Sequence, residues 1–185
     1  QDSDARQEKT KGDLYDENTV FQFYSKSKDS YPGKGSGEKV SPEDKNKYKG
    51  LNLITDWRRK LSNFHVAPFV LDGKQWASVE HFYQANKFKQ TNPEFYEMFS
   101  LDSETSDFNK DPLMAKSAGG KTGKFRGKQV RPKGVKLDED FFTSGRNEEV
   151  MERGMMAKFN QDDTSKDVLL KTKDAKLLHF SRGEP

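Results

Sequence analysis

The sequence predicts an α+β fold: a compact, mainly helical single domain with a few short strands. Three observations carry this. At 185 residues the chain is long enough for one sizeable core. Helix-start signals recur at Asn92-Pro93 and Asp111-Pro112, where a capping side chain precedes a proline whose missing N–H costs nothing in a first turn. The strand-like runs are short, follow no strict βαβ alternation and show no internal repeat.

The elements follow in order. Residues 1–19 are charged and aperiodic and are expected to form a flexible N-terminal tail, with the domain filling 20–185. Val20 to Tyr24 is β-branched and aromatic and reads as a first strand. Residues 25–50 are rich in Ser, Lys, Gly and Pro; a loop this long inside a domain tends to be functional or disordered. LNLITDWRR (51–59) is expected to be a short strand or turn. Residues 67–71 and 74–76 flank Asp72-Gly73, the pair favoured where both turn residues need positive φ, and predict a hairpin. Ser78 is placed to cap a helix over 79–88. Short helices are expected over 94–99 and 113–118, then a basic glycine-rich loop, AGGKTGKFRGKQVRPKG. A longer helix over about 144–159 follows from Val150, Met151, Met155 and Phe159. A last helix over 166–172 precedes KLLHF, a short strand or extended end.

Composition narrows the function classes. Charged residues make up 34% and the mean hydropathy is -1.09, so part of the chain must be tail or long loop. The 14 phenylalanines argue against wholesale disorder. A net charge of +3 permits nucleic acid as a partner without demanding it. The absence of cysteine excludes a disulfide scaffold, a thiolate nucleophile and a cysteine-ligated metal. No apolar run approaches the roughly 20 residues that span a bilayer. The expectation is a soluble protein of the cytoplasm or nucleus, without a membrane partner.

The stretch with most chemistry is LDGKQWASVEHFYQANKF (71–88). At 100° per residue, Glu80 and Lys87 fall at nearly one azimuth, with Tyr83 and Gln84 on either side. Val79, Phe82 and Ala85 gather opposite, as a core face. Glu80 and Lys87 stand two turns apart, about 10 Å, too far for an i,i+4 ion pair. Spacing alone favours a solvated face, with Glu80 near the helix N-terminus for its dipole. Trp76 and Tyr83 point the other way, because flat aromatic surface beside a charged pair suits a heterocyclic ligand. His81 lies off this face, where packing is its expected role.

AGGKTGK fails as a P-loop, because Lys124 stands where the pattern needs glycine and no Ser or Thr follows a suitable Gly-Lys pair. Gly119, Gly120, Lys121 and Lys124 can still offer N–H groups and charge to a phosphate, or form a solvated basic loop. His65, His81 and His179 sit in no metal-ligand spacing, so no metal is expected, and there is no nucleophile elbow. The available nucleophile is Lys87, with Glu80 as proton carrier. An amine reacts only if burial or a neighbouring cation lowers its pKa.

Four blocks carry a resemblance: FYSKS (23–27), LSNFHVAPFVLDGKQWASVEHFYQANKF (61–88), VMERGMMAKFNQ (150–161) and LLKTKDAKLL (169–178). Together they resemble the NADAR family, also called YbiA-like, over most of residues 21–180. The insertions around 28–60 and 100–140 look more like its eukaryotic or viral members than the short bacterial form. The resemblance implies a mainly helical α+β fold and N-glycosidase chemistry. The implied reaction is hydrolysis of ADP-ribose from the amino group of guanine in DNA or RNA, with free ADP-ribose as product and no cofactor. Some bacterial members instead cleave phosphoribosylated riboflavin intermediates, and a module that reads ADP-ribose or nucleic acid without cleaving it is a further alternative. Carried over by position, Lys87 matches the lysine that forms a Schiff base with the sugar, and Glu80 the acid. Asn63, Phe64 and Trp76 fall on pocket positions, and Tyr24 and Ser25 fall near the phosphates. Tyr83, Gln84, Gly119, Gly120 and Lys121 complete the expected substrate-binding set. Bacterial members continue past the last strand with Trp-Gly-Asp-Gly and Gly-x-Gly-x-Asn, whereas this chain reads HFSRGEP; Arg182 is the candidate for part of that wall. A monomer is the expected state.

Overall fold

In chain order the first elements are β1 (Asp16–Phe23), a 3-10 turn (Pro42–Asp44), α1 (Lys49–Asn52), α2 (Trp57–Lys60), β2 (Phe69–Leu71) and β3 (Lys74–Trp76). Then come α3 (Val79–Asn86), α4 (Pro93–Met98), α5 (Pro112–Ala118), β4 (Lys124–Phe125) and β5 (Lys128–Gln129). The chain closes with α6 (Arg146–Gln161), α7 (Asp163–Lys171) and β6 (Ala175–His179). The α+β class, helices dominating a few short strands, is the one observed. The computed structural model describes residues 15–180; residues 1–14 of the expected tail, and Arg182, lie outside the described residues. Within this domain the described residues form two compact units, 15–62 with 167–180, and 63–166.

The first unit is organised by β1 and β6, which pair in parallel from Val20 opposite Lys176 to Phe23 opposite His179. Strand structure begins at Asp16, so residues 16–19 belong to β1 rather than to the expected tail. Phe21 is fully buried and meets Tyr48 and Trp57 edge to face, at 5.0 and 5.4 Å. The segment expected as strand or turn over 51–59 is instead two four-residue helices, α1 and α2, which bury Leu51, Trp57 and Arg58. The long loop before them is ordered by one buried ion pair. The Glu38 carboxylate accepts from Arg58 Nε at 2.8 Å and Nη2 at 2.6 Å, and also from the Gln22, Gly33 and Gly35 N–H groups. Five donors on one carboxylate compensate for removing its charge from water.

The second unit centres on α3, which packs against α4, α5, α6 and the hairpin. Asp72 and Gly73 have φ of 52° and 74°, the geometry that joins β2 to β3 with the right twist. The core gathers Trp76, Val79, Phe82, Ala85, Phe88 and the aromatic cluster of Phe95, Phe99 and Phe108. Glycine in a helix interior costs about 1 kcal/mol against alanine, yet Gly154 sits midway along α6. A Cβ there would stand 3.1 Å from Phe82 and 3.2 Å from Val79, so its absence lets α6 settle on α3. The basic loop contains a further hairpin, β4 and β5, turned through Arg126 and Gly127 with φ of 51° and 79°.

Candidate active site

Ser78 starts α3 as expected: its Oγ accepts the His81 N–H at 3.2 Å. The Glu80 N–H, one of the donors a helix start leaves over, goes to the Asn63 carbonyl at 3.0 Å. Val79, Phe82 and Ala85 are fully buried on the core side, and the helical step carries Glu80, Tyr83, Gln84 and Lys87 to another face. That face is sheltered from water. Glu80 is 8% exposed, Gln84 4% and Lys87 8%.

The cover is the turn that ends α5. Lys87 Nζ donates to the Gly119 carbonyl at 3.1 Å, and Gln84 Nε2 donates to Glu80 Oε1 at 2.8 Å. A Cβ at Gly119 would fall 2.0 Å from Gln84 Oε1, so only glycine lets the turn close over this amide. Arg131 ties the same turn from outside, donating to the carbonyls of Ala118 at 3.0 Å and Gly120 at 2.7 Å. The main chain of Lys87 is clamped as well. The Asp138 N–H donates to its carbonyl at 2.6 Å, and Arg146 donates to the Asn86 carbonyl at 2.9 Å. Asp138 is itself fixed by the N–H groups of Gln90 and Thr91 and by Arg146.

Burial pushes the Glu80 carboxyl above its ordinary range, against the Gln84 hydrogen bond and the charges of Lys116 and Lys87. It pushes the Lys87 amine below its ordinary range; Glu80 opposes this, while Arg131 and Lys116 reinforce it. The acid is thus biased to keep a proton and the amine to lose one. A neutral amine is a nucleophile and a protonated carboxyl is a general acid. Two rings flank the amine, Tyr83 at 5.5 Å and Phe142 at 5.7 Å from Nζ. Phe142 is 56% exposed, leaving open aromatic surface beside the amine. His81 belongs to the core: Nδ1 meets Ser78 Oγ at 2.7 Å and Nε2 meets the Phe108 carbonyl at 2.8 Å. A carbonyl only accepts, so Nε2 carries the hydrogen, and burial pushes the imidazole below its ordinary pKa. Among the described residues no cluster of three or more His, Cys, Asp or Glu could hold a metal ion.

The NADAR domain model matches residues 54–184, more than half of the chain. The chain belongs to the NADAR family. The proteins called N-glycosidase YbiA from Escherichia coli strain K12 and Shigella boydii serotype 4 are each 28% identical to it over 124 residues. That alignment covers 67% of this chain and 64% of each relative, so the chain spans about two thirds of their length at most. The NMR structure of the E. coli protein YbiA superposes with a TM-score of 0.53 at 22% identity, over 90% of this chain and 69% of that one, which establishes a shared fold.

Within this NADAR domain the expected site residues separate. Glu80, Tyr83, Gln84, Lys87 and Gly119 come together in the second unit. Asn63 joins them through its carbonyl, while its Nδ2 donates to Met151 Sδ at 3.3 Å. Phe64 lies under Lys116, whose Nζ is 5.8 Å from the ring. Trp76 is not available to a ligand. It is fully buried against Phe82 and Tyr96, and its indole N–H is spent on the Leu71 carbonyl at 2.9 Å. Gly119 and Gly120 do not offer N–H groups to a phosphate, because these close the end of α5 on the carbonyls of Ala115 and Ser117. Lys121 is exposed, and its carbonyl accepts from Arg131. Tyr24 and Ser25 belong to the first unit. Sequence reasoning missed Lys116, Arg131 and Phe142. Arg131 stood in plain view within the basic loop, but nothing local marks its guanidinium as the tie for 118–120.

Proposed function

We propose that this chain is an N-glycosidase that hydrolyses ADP-ribose from guanine bases in nucleic acid through a Schiff base on Lys87. The observation that carries this is a buried acid and a buried amine on one face of α3, each biased toward its neutral form. Its kinship with proteins named N-glycosidase supports cleavage of a C–N glycosidic bond. In the proposed sequence the Lys87 lone pair attacks the anomeric carbon, and the bond to the guanine amino nitrogen breaks. Glu80 passes its proton to that nitrogen, so unmodified guanine leaves. The glycosyl amine on Lys87 opens its sugar ring to an imine, Glu80 takes a proton from an incoming water, and hydrolysis frees ADP-ribose and the neutral amine. Phe142 and Tyr83, rather than the buried Trp76, are the aromatic surfaces open to the base.

The test is direct. Wild-type protein is incubated separately with an ADP-ribosylated guanine oligonucleotide and with a phosphoribosylated amine, and products are followed by mass spectrometry. Release of ADP-ribose from the oligonucleotide is expected, with Glu80→Gln slowing it by about 10²–10⁴-fold. Release only from the small amine, or saturable binding with no cleavage over hours, would overturn the reading.

A further inference from the structure

Residues 112–137 carry eight lysines and arginines and no aspartate or glutamate, whereas the other 25 basic residues of the chain are outnumbered by its 30 acids. The positive charge is therefore gathered in one segment of the second unit. Lys121, Lys124, Arg126, Lys128, Lys133 and Lys136 are all exposed. None of these six side chains meets a carboxylate among the described residues. Like charges gathered without counter-charges repel one another, so the arrangement costs stability until a polyanion takes it up.

The segment is nonetheless firmly built. Val130, Val135 and Leu137 pack on the core and hold it down. The base of the β4–β5 hairpin closes on the Gly123 carbonyl, which accepts the Val130 N–H at 2.8 Å and the Arg131 N–H at 3.0 Å. Gly123 has a φ of 67°, and a Cβ there would stand 2.8 Å from the Arg131 Cβ, so glycine is required. Arg131, the buried basic residue of the segment, ties this base to the turn over 118–120 whose Gly119 carbonyl holds Lys87. The hairpin and the cover of the candidate site are thus one structure. Lys124 stands five residues beyond Gly119. At most about 18 Å separates them, the length of about five phosphates at a rise of roughly 3.4 Å each.

Rings lie among the cations. Phe125 is half-buried with the Arg126 guanidinium 4.8 Å from its ring centroid, and Phe142 is 56% exposed beside Lys87. Cations that track a backbone, with rings for unpaired bases, suit a single strand; a duplex keeps its bases stacked inside. A membrane surface would call for an apolar residue to insert, and among the described residues no large exposed hydrophobic lies within 121–136. We propose that residues 121–136 are a docking surface for the phosphate backbone of single-stranded nucleic acid, holding the strand beside the Glu80–Lys87 face. This rests on the glycosidase reading only in taking the docked strand as the one whose base is acted on; the docking itself stands on charge and geometry.

The experiment titrates the full chain with an unmodified single-stranded oligonucleotide over a range of salt, comparing wild type with the double variant Lys128→Gln, Lys133→Gln. A control, Lys45→Gln with Lys166→Gln, removes the same charge outside the segment. All four lysines are exposed, so both variants should fold, which circular dichroism checks. The first variant should lose affinity on the order of tenfold at low salt, and its salt slope should shrink by about 1.4, two phosphate contacts at roughly 0.7 each. The control should match wild type. With an ADP-ribosylated guanine oligonucleotide as substrate, the loss should appear in KM rather than kcat. The titration needs no turnover, so it decides the proposal even where the glycosidase reading fails. A wild-type slope in the first variant, or an equal loss in the control, overturns the proposal. So does tighter binding to a duplex, or to vesicles of equimolar phosphatidylserine and phosphatidylcholine, than to the single strand.

Discussion

The side-chain amide of Gln84 sits at the crux of the candidate site. Its Nε2 donates to Glu80, while its Oε1 is buried with no hydrogen-bond partner among the described residues. A buried acceptor left without a donor costs about 1–3 kcal/mol, so this orientation holds at a penalty and favours the charged carboxylate. Burial works against it and wins, leaving Glu80 raised above its ordinary 4.5 while Lys87 is lowered below 10.5. Together the two groups hold two protons at low pH, one at intermediate pH and none at high pH. In the proposed mechanism the reactive form holds its single proton on Glu80. The pH profile of kcat/KM should therefore be a bell, with an acid limb above 4.5 and an alkaline limb below 10.5. Gln84→Met removes the hydrogen bond that favours the carboxylate, so the acid limb should move to higher pH. A limb that stays in place while the rate falls would mean that Gln84 only fills space.

Among the elements, the loop before α1 has the sharpest energetic dependence. Arg58 and Glu38 are almost wholly buried, and replacing one partner leaves the other charge stranded. Breaking such a pair costs about 3–5 kcal/mol. Glu38→Gln should therefore destabilise the first unit by that amount in denaturant unfolding, read by Trp57 in a Trp76→Phe background. A loss below about 1 kcal/mol, the range of an exposed pair, would show that the loop is ordered by something else. This is also where the sequence was least legible. Helices α1 and α2 are four residues each, too short for an apolar period to register. The parallel partner of β1 lies near the far end of the chain, and no local pattern names it. Legible elements were those with local chemistry, namely the Asp72-Gly73 turn, the Ser78 and Asp111 caps and the Pro93 and Pro112 helix starts. Asn92, however, gives its side chain to Thr91 and the Lys136 carbonyl rather than to a cap.

For the molecule as a whole, the helical spacing marks the residues of the candidate face but not their environment. The spacing of Glu80, Tyr83, Gln84 and Lys87 marks a shared face, and a shared face is equally consistent with solvent. What shelters it arrives from distant segments: Gly119 after α5, Arg131 in the basic loop, Asp138 and Phe142 before α6. Trp76 failed as a ligand surface for the same reason, because aromatic identity does not say which side of a core a ring faces. The central claim is that Lys87 forms a covalent imine with the substrate sugar, and borohydride trapping with an ADP-ribosylated guanine oligonucleotide tests it most directly. The chain holds 25 lysines, so the position of any adduct decides the matter. Reduction during turnover should leave one sugar-derived mass on the peptide containing Lys87, and Lys87→Ala should lose both adduct and turnover. An adduct on another lysine, or near-normal turnover by Lys87→Ala, would contradict it.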